Sequence, residues 1–263
     1  MLSLTSIHIY PVKSAAGLSL DSVALDRFGP VGDRRWMLVD ENRRFVSQRE
    51  DAGLVRLRVE PSGEGLHLRL DGREHVVPTP TDDRNLQVQV WLDSVRAVDA
   101  GDAVAAWLSE GFGRSLRLVY MPESSHRYVD GVYASNGETV SFADGFPLLL
   151  ISESAADLLN SKLTEPVGLD RFRPNLVVSG CQPHAEDEWR RIRIGKIEFD
   201  VAKPCARCVV PSIDQESGAR HPDILRVLAG YRRADDRQVY FGQNLVYQQT
   251  GTLTVGDEIE VLA

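Results

Sequence analysis

Cysteine, lysine and long apolar runs are all scarce in this chain, and each shortage removes a class of explanation. The three cysteines are too few, and odd in number, to build the paired framework of a small secreted fold, and they point to a reducing compartment. No apolar stretch approaches the roughly 18 residues of a membrane-spanning helix. The N-terminus shows no basic, apolar and small-residue leader, because Leu4, Ile7 and Ile9 already alternate as a strand. The expectation is a cytoplasmic protein with no membrane partner. Lysine supplies only four (13, 162, 196 and 203) of the 30 basic residues. Arginine supplies the rest; composition bias accounts for most of it, although a guanidinium is also well suited to gripping phosphate. Against 38 acidic residues the formal net charge is −8, which speaks against non-specific binding to nucleic acid or an anionic membrane. A local basic pocket is still compatible with that balance.

What is present is period-two alternation. The 263 residues suffice for one large all-β domain or two smaller ones, and 43% hydrophobic with 26% charged residues is ordinary for a soluble globular chain. Residues 35–40 and 45–48 flank Asp40-Glu41-Asn42-Arg43 as a hairpin. Val55, Leu57 and Val59 alternate until Pro61-Ser62-Gly63-Glu64-Gly65, and Leu66, Leu68 and Leu70 resume until Asp71-Gly72. Val88, Val90 and Leu92 continue the pattern. Ile192 to Val201 alternate around Gly195-Lys196, and Leu253 and Val255 precede Gly256-Asp257, with Ile259 and Val261 after it. Helical patterns are few: Asp102 caps one over 103–110, Ser152 caps one over 153–163, and Pro222 opens a third. Many strands with three helices predict a mainly β barrel or sandwich. The unpatterned stretch 121–145 reads as a linker or active-site loop, with a domain boundary near 120.

The sharpest local feature is Lys203-Pro204-Cys205-Ala206-Arg207-Cys208 at the end of an alternating strand. Four chemistries compete for it. A thioredoxin-like pair needs a helix starting at the first cysteine, and Val209-Val210-Pro211 opposes one. Structural zinc would draw on Cys181 and His184, spaced Cys-x2-His, together with Cys205 and Cys208. Small half-buried cysteines in a strand-rich core need no function at all. Finally, one thiolate could ligate a soft redox metal, with Lys203 and Arg207 favouring negative charge nearby. Spacing alone leaves these open.

Over Ile7 to Ala263 the chain resembles the MOSC superfamily, in the branch that has an N-terminal β-barrel domain and includes the mitochondrial amidoxime reducing component and bacterial reductases of N-hydroxylated compounds. The resemblance rests on six segments in order: Tyr10-Pro11-Val12-Lys13-Ser14, Asp33-Arg34-Arg35-Trp36, Leu150-Ile151-Ser152-Glu153-Ser154, Phe172-Arg173-Pro174-Asn175, Cys205-Ala206-Arg207-Cys208 with Ile213-Asp214, and Phe241-Gly242-Gln243-Asn244 with Val255-Gly256-Asp257. It implies a MOSC-type β-barrel over 121–263 and an N-terminal β domain over 1–120. It further implies a molybdenum cofactor of the plain molybdopterin form, with one metal ligated by Cys208.

Cofactor contacts carried over from the resemblance are Lys13, Ser14, Arg34, Ser152, Ser154, Arg173, Asn175, Ala206 and Arg207. Asp214, six residues after Cys208, is a candidate proton donor, with a turn-capping role as its alternative, and Gln48-Arg49 is a candidate substrate-side pair. The implied activity is reduction of N–OH or N-oxide compounds to amines. A small N-hydroxylated substrate and an external electron-transfer protein (of ferredoxin, flavodoxin or cytochrome type, with its reductase) would be the partners. A cofactor or sulfur carrier without turnover is the alternative. Val209-Val210-Pro211-Ser212 departs from relatives that carry a threonine pair there. Neither the ferredoxin domain of some bacterial relatives nor the membrane anchor of the mitochondrial ones is expected.

Overall fold

The computed structural model describes every residue except Glu64, Asp82 and Ser135. Glu64 belongs to the sequence-predicted turn at 61–65 and Ser135 to the stretch 121–145, so those two positions lie outside the described residues. The first strands are β1 (Ser3–Ile9), β2 (Leu18–Leu20), β3 (Ser22–Asp26), β4 (Gly29–Pro30) and β5 (Trp36–Val39). Next come β6 (Arg58–Ser62), β7 (Gly65–Leu70), β8 (Arg73–Pro78), β9 (Asn85–Val90), β10 (Asp93–Asp99), helix α1 (Asp102–Phe112) and β11 (Arg117–Tyr120). After a long connection follow β12 (Leu148–Ser152), α2 (Glu153–Asn160), β13 (Leu176–Ser179), β14 (Arg191–Ile194) and β15 (Ile197–Ala206). The chain closes with α3 (Asp223–Arg232), β16 (Tyr240–Val246), β17 (Gly251–Thr254) and β18 (Ile259–Val261). Among the described residues the architecture is mainly β with three short α-helices, in keeping with the strand alternation and the three helical patterns of the sequence.

Two β systems share the chain. An eight-stranded sheet runs β18-β14-β15-β16-β12-β13-β1-β2, and a small sheet pairs β17 with β3 and β4. The other system joins β5-β11-β10-β9 with the meander β6-β7-β8. The first core therefore draws on both chain ends: Leu4, Ile7, Ile9, Val23 and Leu25 pack with Leu148, Leu176, Phe199, Leu245 and Leu253. After Ile9 the backbone crosses to the second system, where Val12 bridges Trp36 and Lys13 N–H donates to the Trp36 carbonyl at 2.8 Å. At Gly242, φ is +80° and an added Cβ would lie 2.7 Å from the Leu150 carbonyl, so only glycine lets β16 lie this close to β12.

The helices start where side-chain chemistry directs. Ser152 caps α2 by accepting the Ala155 N–H at 3.3 Å, and α2 ends at Asn160, short of the predicted 163. Gly101 takes the cap position of α1 because Asp99 accepts its N–H at 2.7 Å. Asp102 moves into the first turn and pairs with Arg117 at 2.7 Å. The strand expected across Val55 to Val59 starts only at Arg58. Asp51 accepts the Gly53 N–H at 2.9 Å and winds Ala52–Arg56 into a 3-10 turn, which buries adjacent Leu54 and Val55 together. Leu92 also leaves the strand pattern, standing 98% exposed beyond the end of β9. None of the helices among the described residues is long and apolar enough to cross a membrane.

Since β1 lies beside β13 and supplies Leu4 and Ile7 to the far core, a fragment comprising residues 121–263 alone is expected to lack a cooperative thermal transition by circular dichroism. In the whole chain, Ile7→Ala is expected to cost about 2–5 kcal/mol in denaturant unfolding. A sharp transition in the fragment would show that the crossing strand is dispensable.

Candidate functional site

A solvent-open cleft of about 870 Å³ lies where the chain crosses between the two β systems. Five cations line it (Lys13, Arg34, Arg49, Arg173 and Arg207) against one carboxylate, Asp144. In a chain of net charge −8 that concentration is local. It builds the basic pocket that the composition left room for.

Tyr10 and Asp33 organise the cleft from beneath. The guanidiniums of Arg34 and Arg173 both stack on the Tyr10 ring, at 4.2 and 4.1 Å from its centroid. Buried Asp33 accepts the Tyr10 N–H at 2.8 Å and the Arg34 Nη1 at 2.6 Å. Burial pushes its carboxyl up, and Arg34 opposes that shift. Arg34 Nη1 also reaches Asn175 Oδ1 at 3.0 Å, and Arg173 Nη1 donates to the Ala15 carbonyl at 2.8 Å. Burial pulls the Arg173 guanidinium down to about 10, against the attraction of Tyr10.

Lys13 is the second anchor. Its Nζ donates to the Phe142 carbonyl at 2.8 Å and to Asp144 Oδ1 at 2.6 Å. Burial pulls its ammonium down to about 8, opposed by Asp144. Desolvation within the cleft would raise the Asp144 carboxyl, whose side chain is 64% exposed, but Lys13 and Arg49 hold it well below the usual carboxylate range. Arg127 fixes this loop by donating to the carbonyls of Ser141, Ala143 and Asp144 at 2.9, 2.5 and 2.9 Å. Three cleft residues that are not glycine, Ser14, Arg34 and Arg173, have φ of 68°, 46° and 55°. Left-handed backbone costs such residues energy, and strain of this kind gathers at functional sites.

The Cys205–Cys208 segment forms the remaining wall. β15 runs through Cys205 to Ala206 and only a 3-10 turn, Val210–Ser212, follows, so no helix starts at the first cysteine and the thioredoxin-like arrangement is absent. Arg207 Nη2 donates to the Phe172 carbonyl at 2.7 Å and Nη1 lies 3.1 Å from Cys205 Sγ. Cys208 is half-buried on the cleft wall with its thiol free. The zinc arrangement is not assembled: among the described residues no three His, Cys, Asp or Glu side chains cluster to hold a metal. Cys181 instead lies 4.0 Å from Ser154 Oγ, and the His184 ring packs against Tyr231 and Phe241.

Of the residues singled out in the sequence, Lys13, Ser14, Arg34, Arg173, Asn175, Ala206, Arg207 and Cys208 all line this cleft, as do Gln48 and Arg49. Three do not. Ser152 is fully buried, capping α2 and hydrogen-bonding the buried Glu186 carboxylate at 2.8 Å. Ser154 points toward Ser152 and Cys181. Asp214 faces away, as a turn cap: it accepts the Ser217 N–H and Oγ–H at 2.8 and 2.7 Å and pairs with Arg171 at 2.6 Å. The Ser217 contacts pull its carboxyl down to about 2, so it carries no proton to donate near neutrality. Sequence reasoning missed Asp144, and it quoted Phe172 and Asn244 only as motif positions without a site role. Asp144 sits in the unpatterned stretch 121–145, and its partner Lys13 is too distant in sequence to suggest the pair.

A strained, cation-lined cleft with a free thiol lies between two β systems, and its charge is complementary to an anionic group. The family model described as the MOSC domain matches residues 137–260, and that of the MOSC N-terminal beta barrel domain matches residues 1–115. The chain is 30% identical to mouse mitochondrial amidoxime-reducing component 1 over 280 residues, covering 99% of this chain and 82% of the relative. The human counterpart is 29% identical over 281 residues, 99% of this chain and 83% of that protein. Zebrafish molybdenum cofactor sulfurase is 31% identical over 274 residues, 96% of this chain but 33% of that longer protein. The chain belongs to the MOSC family, in the group that joins an N-terminal MOSC β-barrel domain to the MOSC domain.

Lys13 is charged below about pH 8 and neutral above it. Sulfate keeps constant charge there, so calorimetry is expected to find flat affinity at lower pH and a decline as pH rises through 8. Lys13→Gln is expected to bind more weakly and without that decline. Identical profiles for the two proteins would remove Lys13 from anion binding.

Proposed function

We propose that this cleft holds a molybdopterin-type molybdenum cofactor, with Cys208 as the protein ligand to the metal, and that the protein reduces N-hydroxylated compounds to amines. The observation that carries this reading is a pair of orphaned donors. Arg173 Nη2 and Arg207 Nε are buried at the cleft with no hydrogen-bond partner among the described residues. A buried unpaired donor is costly, so an anionic group with several acceptor oxygens fits them. The similarity to amidoxime-reducing components across nearly the whole chain supports the same chemistry.

In this reading Arg34 and Arg173 fork onto the phosphate, Lys13 adds a point charge, and Asn175 orients Arg34. The Cys208 thiolate is a soft donor suited to molybdenum, and Arg207 and Lys203 favour its negative charge. When bound, the cofactor supplies the two-electron couple by which the N–O bond is cleaved and water released. The protein excludes water on the buried side of the cleft, where Gln48 is locked to the Ser14 carbonyl and Gln215, and presents Arg49 and Asp144 toward the open side, where a substrate enters. Electrons then come from a partner protein of ferredoxin, flavodoxin or cytochrome type. The likeness to zebrafish molybdenum cofactor sulfurase favours a second reading, in which the same cleft carries the cofactor or sulfur to another enzyme.

Elemental analysis of protein from a host that makes the pterin is expected to give near-stoichiometric molybdenum. Cys208→Ala is expected to lose the metal and the reduction of benzamidoxime with an artificial donor, whereas Cys205→Ala retains most of both. Equal loss from both variants would overturn the ligand assignment, and stoichiometric zinc would overturn the cofactor. Full molybdenum with no turnover, and transfer to an apo-acceptor, would establish the carrier.

A further inference from the structure

A second pocket of about 810 Å³, sharing no lining residue with the cleft, lies under the start of α3. Its walls are the connection 163–167, Arg171 and the run Arg220-His221-Pro222-Asp223-Ile224. Two independent features there demand an anion. The first turn of α3, a ten-residue helix, has Pro222 at its cap and no side-chain cap, so its N–H groups are open to a ligand. Arg171 is only 7% exposed, and while its Nη2 is paired with Asp214 at 2.6 Å, its Nη1 is buried without a partner among the described residues. A guanidinium half used in this way retains one edge for another acceptor.

The neighbouring charges agree. Arg220 stands at the rim, steadied by its Nη2 donating to the Arg49 carbonyl at 3.1 Å. His221 is fixed by its N–H bond to the Ser212 carbonyl at 2.6 Å. Two carboxylates also line the pocket: Asp223 pairs with Arg226 at 2.9 Å, and Glu165 stands in the connection 163–167. Asp214 balances Arg171 and Arg226 balances Asp223, so Arg220 and the helix dipole remain to set against Glu165. We propose that this pocket is a separate binding site for a phosphate group, either the free ion or the end of a small phosphomonoester, held by Arg171 Nη1, the first-turn N–H groups of α3 and Arg220. The site does not depend on the cofactor reading.

The test is a titration of the whole protein with inorganic phosphate and with glycerol phosphate, followed by amide NMR shifts of Asp223, Ile224 and Leu225. These amides separate the pocket from the cleft. Saturable shifts are expected with phosphate and not with sodium chloride at matched ionic strength, and the tighter of the two ligands identifies the free or the esterified form. Arg220→Gln, an exposed change, is expected to weaken binding about tenfold, the scale of one charge-assisted hydrogen bond. Arg171→Gln is expected to weaken it at least as much. The proposal is overturned by linear, unsaturable shifts, by equal response to chloride, or by unchanged affinity in Arg220→Gln.

Discussion

The floor of the cleft hangs on one buried carboxylate. Asp33, 1% exposed, holds the Tyr10 backbone and Arg34 together. Tyr10 in turn carries Arg173 on its ring. Two guanidiniums on one aromatic ring repel each other and resist burial, and an uncompensated buried charge costs several kcal/mol. Asp33 supplies the compensating charge, and the tyrosine face spreads the remainder. The arrangement still leaves the cleft positive, because this one acid neutralises only one of its two cations.

That residual charge is stored together with backbone strain. Ser14, Arg34 and Arg173 hold left-handed conformations that cost free residues energy; Ser14 and Arg34 lie in loops between strands, and Arg173 lies between a 3-10 turn and β13. Arg34 N–H donates to the Tyr10 carbonyl at 2.8 Å, and Asn175 N–H to that of Leu149 at 2.8 Å. The scaffold thus fixes the donors before any ligand arrives, so little ordering cost is left for binding. The acidic exterior, meanwhile, discourages polyanions that are too large to enter.

Much of this was legible in the sequence, for identifiable reasons. Alternation revealed the strands, since one buried face leaves a period-two trace, and Ser152 announced the start of α2 through its cap. Alternation failed at residues 52–56, where a turn buries Leu54 and Val55 side by side. At the site, Lys13, Arg34, Arg173 and Cys208 could be singled out because the segments that carry them resemble those of a known family, whereas each residue alone reads as a surface charge or a core thiol. What motif reading could not supply was direction. Ser152 and Asp214 sit in the expected segments, yet Ser152 turns to Glu186 and Asp214 to Arg171. Asp144 was hidden for the opposite reason: its segment has no pattern, and its meaning comes wholly from a lysine far back in the chain.

The crossing of β1 into the late strands has a consequence for biogenesis. Residues of the cleft wall come from positions as early as Lys13 and as late as Asn244. During synthesis the first strand emerges long before β13, its neighbour, and β16 arrives later still. Such non-local pairing makes folding slow and postpones it until almost the whole chain has left the ribosome. A nascent chain therefore never offers a partial pocket, and Cys208 cannot be set in its wall until the surrounding cations are in place. A group entering this cleft would therefore meet the finished fold and not a growing chain.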